Sequence, residues 1–352
     1  MQSFDLGQLP RRSLLTGAGF TKNWGGHLAT ELWPLLDSTP VVNGNPALRG
    51  IFRKHLGSFE DALTEARHAI PDGAVSAEEV AQLERDIVSI FMEQERTINA
   101  QRTPSRLNES MIQEMLSLFA QGPSTPPKLC QESDTGYIFT LNQDLLVERI
   151  AVDGHMYHQP VTPGVAPRTS PSELGRDDFR PDNDRHLRET RQVPNTPSMT
   201  LRGNLNYIKL HGSYEWRSAD RPALVVGGMK EDTIGTFPVL QVYLDIFRQV
   251  CCSGGLKLMV CGYGFGDPHI NQIIATGARD HELTVFLVDP RSPQQTKDAL
   301  DRGGQDGAAI WSAITGWSTK PLRDTFPPPS GEHRSPEYWR ILELFFDWNA
   351  RT

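Results

Sequence analysis

The sequence predicts an α/β fold: a mostly parallel sheet with helices on both faces and an inserted helical layer. Two observations lead there. Short apolar runs rich in β-branched and aromatic residues alternate with longer stretches that carry helix-start signals, the order that builds a parallel sheet covered on both faces. These runs also end in glycine-rich or polar loops, and open parallel sheets bind ligands beyond the carboxyl ends of their strands.

The first strand is expected at Ser13-Leu14-Leu15-Thr16. Gly17-Ala18-Gly19 follows, a turn that lets the backbone fold sharply and approach a bound phosphate before the next helix. Lys22 stands where the G-x-G-x-x-G fingerprint has its third glycine, so this turn is weak as a motif by itself. A helix around His27 to Leu36 is expected to close at Pro40 and the Asn43-Gly44-Asn45-Pro46 cluster. Beyond it the pattern stays helical as far as Phe119. Ser76 and Glu79 have capping-box spacing, Val80, Leu83, Ile87, Ile90 and Phe91 fall on one face, and Leu107, Met111, Met115 and Phe119 repeat the stripe. Residues 45–122 are therefore read as a helical layer inserted into a core domain formed by 1–44 and 123–352. The layer either roofs a pocket or contacts other subunits, and the sequence leaves both open.

The sheet resumes at Gly136-Tyr137-Ile138-Phe139-Thr140-Leu141, with Asn142 at its carboxyl end. Between 154 and 203 seven prolines, from Pro160 to Pro197, forbid any long regular element, so a long loop is expected. Further strands are expected at Tyr207-Ile208-Lys209-Leu210, Leu256-Lys257-Leu258-Met259-Val260 and Thr284-Val285-Phe286-Leu287-Val288. Between them, Thr236 with Pro238 starts one helix. Asp267 with Pro268 starts another, as N-cap and first helical residue. The sum is a Rossmann-like sheet.

Length and charge bound the function. A chain of 352 residues forms one large α/β domain or two ordinary ones. With 35 basic against 43 acidic residues the net charge is -8, and no basic stripe appears, which disfavours direct nucleic-acid binding. Cys130, Cys251, Cys252 and Cys261 show no C-x-x-C spacing, so neither zinc site nor disulfide framework is read from them. Neither a signal peptide nor an apolar run of membrane-spanning length is found, and a cytoplasmic protein without membrane attachment is expected.

The loops carry the chemistry. Gly262-Tyr263-Gly264-Phe265-Gly266-Asp267-Pro268 sets three alternate glycines before a helix start, a pattern that presents bare N–H groups to an anion. Asn142 before Gln143-Asp144-Leu145-Leu146 either caps a helix or holds a ligand. His211, after the strand ending at Leu210, is either a satisfied structural histidine or a base. Asp289 either accepts hydrogen bonds from a ribose diol or begins a turn with Pro290.

Taken in order, Gly17-Ala18-Gly19, Thr140-Leu141-Asn142-Gln143-Asp144, Leu210-His211-Gly212 and Gly262-Tyr263-Gly264-Phe265-Gly266-Asp267-Pro268-His269-Ile270-Asn271 resemble the signature of the sirtuin superfamily. The prokaryotic sirtuin-like branch is the nearest match in pattern. Its members are commonly NAD-consuming effectors of antiphage defence, some acting with a HerA-type ATPase, a short Argonaute or a second toxin-system subunit. Deacylating sirtuins carry two zinc-binding cysteine pairs after the position of His211, whereas this chain has only the adjacent Cys251-Cys252 there, so no zinc is expected. Protein deacylation is thereby the second reading, and a module that senses NAD or ADP-ribose without catalysis the third.

The resemblance implies an NAD glycohydrolase, with NAD as substrate and nicotinamide and ADP-ribose as products. Cleavage of the nicotinamide–ribose bond builds positive charge on the ribose, so the site must hold the ring and supply an oxygen nucleophile. Asn142 fixes a ribose hydroxyl and a water through its uncharged amide, and His211, with an ordinary pKa near neutrality, is the general base. Asp144 either polarises the nicotinamide side or orders its loop. Gly17, Ala18, Gly19 and Gly262 cradle the pyrophosphate, Phe20, Tyr263 and Gly264 complete the nucleotide contacts, and Asp289 faces the adenosine ribose. A homo-oligomer is expected, with a defence-system subunit as candidate partner.

Overall fold

The computed structural model describes residues 9–101, 109–121, 136–152, 160–165, 191–194, 205–219, 221–326 and 335–347. Its centre is a six-stranded sheet of β1 (Arg12–Thr16), β2 (Gly136–Thr140), β4 (Leu205–Lys209), β7 (Lys257–Cys261), β8 (Thr284–Val288) and β9 (Ile314–Ser318). All of its pairings are parallel, and the order is β4-β2-β1-β7-β8-β9. Numbered by appearance in this sheet, that is 3-2-1-4-5-6, the doubly wound order whose direction reverses between its first and fourth strands. β3 (Arg191–Gln192), β5 (Gly212–Ser218) and β6 (Arg221–Leu224) form a separate small sheet, in which β5 and β6 are antiparallel.

The helices follow in chain order. α1 (Ala18–Lys22) leaves β1, and α2 (Ala29–Asp37), α3 (Pro40–Gly44), α4 (Pro46–Lys54), α5 (Phe59–His68), α6 (Ala77–Gln101) and α7 (Glu109–Gln121) come before β2. α8 (Leu146–Val152) follows β2, and α9 (Lys230–Gly235) with α10 (Pro238–Cys251) leads to β7. α11 (Pro268–Asp280) joins β7 to β8, α12 (Pro293–Asp301) and α13 (Gly304–Ser312) join β8 to β9, and α14 (Leu322–Thr325) and α15 (Pro336–Leu344) close the chain. No helix among the described residues is long and apolar enough to cross a membrane.

The strands read as nearly continuous apolar runs because both faces are covered, and successive residues point to opposite sides. Leu15, Phe139, Ile208, Val260 and Leu287 pack on one side with Phe247 of α10, Ile274 of α11 and Ile310 of α13. Their neighbours Leu14, Ile138, Tyr207, Met259 and Phe286 pack on the other with Met115 of α7 and Ile341 of α15. A third cluster joins Leu36, Phe52, Leu63, Leu83 and Phe91 to Tyr214 and Val226, and so seats the helical layer beside the small sheet.

The packing divides the helices differently from the expected boundaries at 45 and 122. Leu32 and Leu36 of α2 belong to the helical layer, whereas Met111, Ile112 and Phe119 of α7 cover the sheet. The helix expected to close at Pro40 does so, since α2 ends at Asp37, and Pro40 and Pro46 then stand first in the new helices α3 and α4. A first-turn proline loses no intrahelical bond, and the Asn45 side chain caps α4 by accepting from the Ala47 N–H at 2.7 Å. The expected Ser76–Glu79 capping box is present, with Glu79 N–H to Ser76 Oγ at 3.2 Å and Ser76 N–H to Glu79 Oε2 at 2.7 Å. Leu107, Cys130 and most of the 154–203 loop lie outside the described residues.

Candidate active site

The sheet register decides what converges. Thr16 pairs with Thr140 and with Cys261, Thr140 pairs with Lys209, and Cys261 pairs with Val288. The residues just beyond these strand ends, from Gly17 round to Asp289, therefore share one edge. A cavity of about 940 Å³ lies there, lined by Gly17, Asn142, Asp144, His211, Gly262 and Asp289 among others. Its size is at the upper end of the roughly 300–1,000 Å³ usual for ligand sites.

The two glycine loops interlock. The Gly17 and Gly19 N–H groups donate to the carbonyls of Cys261 and Gly262 at 3.0 and 2.9 Å, and the Gly262 N–H donates to Val288 O at 3.1 Å. Three of the four amides expected to cradle a pyrophosphate are thus spent on holding the loops together. Glycine is needed here for close approach: a Cβ on Gly262, whose φ is +65°, would lie 2.3 Å from Phe20 N, and one on Gly19 2.7 Å from Gly262 Cα. The Ala18, Gly264 and Gly266 N–H groups make no hydrogen bond to the described residues, and a Cβ on Gly264 or Gly266 would meet open space. Those three amides belong to cavity-lining residues and are not engaged in holding the loops together.

Of the expected nucleotide contacts, Phe20 lies outside the cavity wall and Tyr263 within it. Phe20 is only 1% exposed and packs on Trp24, with ring centroids 5.3 Å apart, in the core beneath the sheet rather than in the cavity wall. Tyr263 borders the cavity, but its hydroxyl is used within its own loop, donating to Asn271 Oδ1 at 2.9 Å and accepting from Asp267 N at 3.0 Å. Asn271 Nδ2 in turn donates to Phe265 O at 2.9 Å, which holds Phe265 at a φ of +59°.

Asn142 is held by its neighbours. Its backbone N–H donates to Thr140 Oγ1 at 3.0 Å, and its amide nitrogen donates to Gly17 O at 3.0 Å and Thr21 Oγ1 at 3.4 Å. The donor half of the amide ties the β2 loop to the first glycine turn, so Oδ1 is the half left for a ligand. Asp144 both orders its loop and lines the cavity, since its Oδ1 accepts from the Leu146 N–H at 3.1 Å at the start of α8. Burial, followed by the nearby Glu95, pushes its pKa up to about 7. Lys209, which has no exposure, donates to Asp144 O and, at 2.8 Å, to Glu148 Oε1, locking the end of β4 to this loop.

His211 stands between β4 and β5. Its carbonyl accepts from Val225 N at 3.0 Å, and the next residue, Gly212, has a φ of +71° and no room for a Cβ beside Ala223 O. The imidazole is 2% exposed, and burial drives its pKa down to about 3, with Lys230 and His269 adding to that and Asp267 opposing it. The expectation of a near-neutral pKa is thereby overturned: His211 is an uncharged imidazole throughout the physiological range. Its Nε2 lies 3.1 Å from Nε2 of His269, so one ring donates to the other.

Asp267 begins α11 without capping it. Its carboxylate instead takes a hydrogen bond from Lys230 Nζ at 2.5 Å, and Lys230 also reaches Glu60 Oε1 at 2.8 Å. Burial raises the Asp267 pKa, but His211 and Lys230 outweigh it and hold the carboxyl below its usual range. Since His211 is neutral, Lys230 is the cation responsible at neutral pH. Asp289 is not a free carboxylate either. Arg291 grips it through Nε at 3.0 Å and Nη2 at 2.5 Å and also donates to Tyr263 O at 3.1 Å, so the cavity wall presents an ion pair.

His27, Phe59, Glu60, Phe91 and Gln94 complete the wall from the helical side, so this layer does roof the cavity. Apart from Phe91, which belongs to the apolar stripe of α6, their spacing in sequence carried no signal, because tertiary packing alone brings them to the cavity. Lys230, at the start of α9, and Arg291, in the loop after β8, were equally silent as single charges. Fold and site together describe a Rossmann-like α/β protein with a large cavity at its topological switch point. No family model matches this chain, and no curated protein matches it.

Proposed function

We propose that this protein is an NAD hydrolase that cleaves the nicotinamide–ribose bond to give ADP-ribose and nicotinamide. The observation that carries the reading is that Asn142, Asp144 and His211, which follow two different strands, line one cavity with the glycine turn after β1, where the strand order reverses. In this reading the pyrophosphate lies against the free amides of Ala18, Gly264 and Gly266 and the adenosine ribose faces the Asp289–Arg291 pair. Asn142 Oδ1 holds a ribose hydroxyl or the attacking water. Water bonds to the anomeric carbon as nicotinamide departs, and its proton goes to the uncharged His211. Asp144, whose pKa burial raises to about 7, donates to the nicotinamide carboxamide while it holds its proton.

The sirtuin-like motif order extends the proposal to a regulated effector of antiphage defence that works by depleting NAD, as a homo-oligomer and with a partner such as a HerA-type ATPase. The test is nicotinamide release from NAD by the purified protein. Asn142→Ala and His211→Ala should each lower turnover by at least about 10²-fold, and unchanged turnover in both removes the mechanism. Turnover that requires an added acyl-lysine peptide would mean a deacylase, and NAD binding without nicotinamide release a sensor.

A further inference from the structure

Four buried or half-buried ionisable groups near His211 have no part in that scheme: His269, which does not line the cavity, and Asp267, Lys230 and Glu60, which do. They form a chain. His211 Nε2 meets His269 Nε2 at 3.1 Å, and a ligand atom of each of His211, Asp267 and His269 lies within 4.8 Å of the others. Asp267 meets Lys230 at 2.5 Å, which meets Glu60 at 2.8 Å. The Nδ1 of His211 makes no hydrogen bond to the described residues, so that nitrogen is the one left for a ligand.

A lone buried imidazole is a poor place to leave a proton, because the cation it forms has lost its water. Two imidazoles sharing one hydrogen bond avoid this by moving the charge along. Resting on the hydrolase reading, we propose that His269 is the proton-accepting and positioning partner of His211. The attacking water breaks an O–H bond and gives its proton to His211 Nδ1. His211 releases its Nε2 proton across the shared contact to His269 Nε2, and the resulting imidazolium is stabilised by the Asp267 carboxylate. One proton enters and one leaves His211, so His211 ends neutral and the charge rests beside Asp267. Lys230 and Glu60 hold that carboxylate, which caps no helix, aimed at the histidines. The same three ligand groups have the composition of a divalent-metal site, but the Lys230 ammonium already supplies the positive charge at Asp267.

The test compares wild type, His269→Gln and His269→Ala for nicotinamide release across pH 5 to 9, with NAD affinity measured by calorimetry and folding by thermal melting. Glutamine keeps a hydrogen-bond partner for His211 but cannot carry the proton. The relay requires both variants to lose kcat, about 10-fold or more, with NAD affinity within about twofold. Full rescue by glutamine would reduce His269 to a prop and overturn the relay. Long-range proton–nitrogen spectra must also show one of the two Nε2 atoms protonated and the other bare. Two protonated Nε2 atoms, or a stoichiometric divalent metal on His211, Asp267 and His269, would overturn it too. A wild-type chain that binds NAD and releases no nicotinamide removes the hydrolase reading and the relay together, whereas an active wild type with an unimpaired His269→Ala removes the relay alone.

Discussion

Replacing Asp144 by Asn should stabilise the protein, and increasingly so as pH rises. The carboxyl is fully buried in a group of four other charges that already balance: Lys209 pairs with Glu148 at 2.8 Å, and Arg149 pairs with Glu95 where neither side chain has any exposure. An ionised Asp144 is the fifth charge, without a counterion of its own, and its pKa accordingly rises from 3.8 to about 7. That displacement corresponds to at most about 4 kcal/mol. The sign follows from proton counts. Between the two midpoints the folded chain holds a proton that the unfolded chain has released, so stability falls as pH rises through this window and levels off above about 8. Asn is nearly isosteric, keeps an oxygen for the Leu146 N–H and cannot ionise. Urea unfolding of both proteins from pH 5 to pH 8 should show the variant's advantage widening by about 2.5 kcal/mol. A stability difference that stays constant over that range would mean that Asp144 ionises normally and that this account of its surroundings is wrong.

Other consequences follow from the same geometry. Gly262→Ala forces a Cβ to within 2.3 Å of Phe20 N at a φ of +65° and should cost several kcal/mol in urea unfolding, of the order expected for strained positions. Gly264→Ala, with open space at its Cβ, should leave the unfolding midpoint unchanged while weakening NAD binding measured by calorimetry, and unchanged affinity would remove Gly264 from the site. His211, with its pKa lowered from 6.5 to about 3, stays neutral in the folded state while the unfolded chain takes up a proton. It therefore withdraws a few kcal/mol of stability as pH falls from 6.5 towards 3, and His211→Gln should flatten that acid limb. Glu95→Ala removes the carboxylate that pairs with the buried Arg149 guanidinium and should destabilise by about 3–5 kcal/mol in the same unfolding assay.

The strands were legible because each is covered on both faces and so carries its signal in composition alone. Leu14-Leu15, Ile138-Phe139 and Leu258-Met259-Val260 could hardly be anything else. β9 was not legible, since Ile-Thr-Gly-Trp-Ser is an edge strand of mixed polarity. Its Gly316 is explained by a contact invisible in sequence: a Cβ there would strike the Phe286 ring at 2.3 Å. In the site, Asn142, Asp144 and His211 could be named because they sit next to strand ends. The identity of the free amides could not, because that depends on how the loops after β1 and β7 bond to each other. The roles of Lys230 and Arg291 arise from the carboxylates each one meets, and those pairings exist only after folding.

The two ionisable groups named from the sequence have traded places. An aspartate ordinarily ionises well below neutrality and a histidine near it, yet burial holds the Asp144 proton to about pH 7 and denies one to His211 until about pH 3. Near neutral pH the cavity therefore presents an uncharged imidazole as acceptor and a carboxyl that can hold a proton to donate. A chemistry that builds positive charge on a sugar ring is served by that arrangement, because no fixed cation at His211 opposes the charge and no permanent anion at Asp144 collapses onto it. The same low polarity makes a proton hard to keep on His211, which is the reason the proposed relay passes it on to His269 beside Asp267. A variant that hydrates the histidine pair should therefore raise the His211 pKa and make proton acceptance by His211 less dependent on His269.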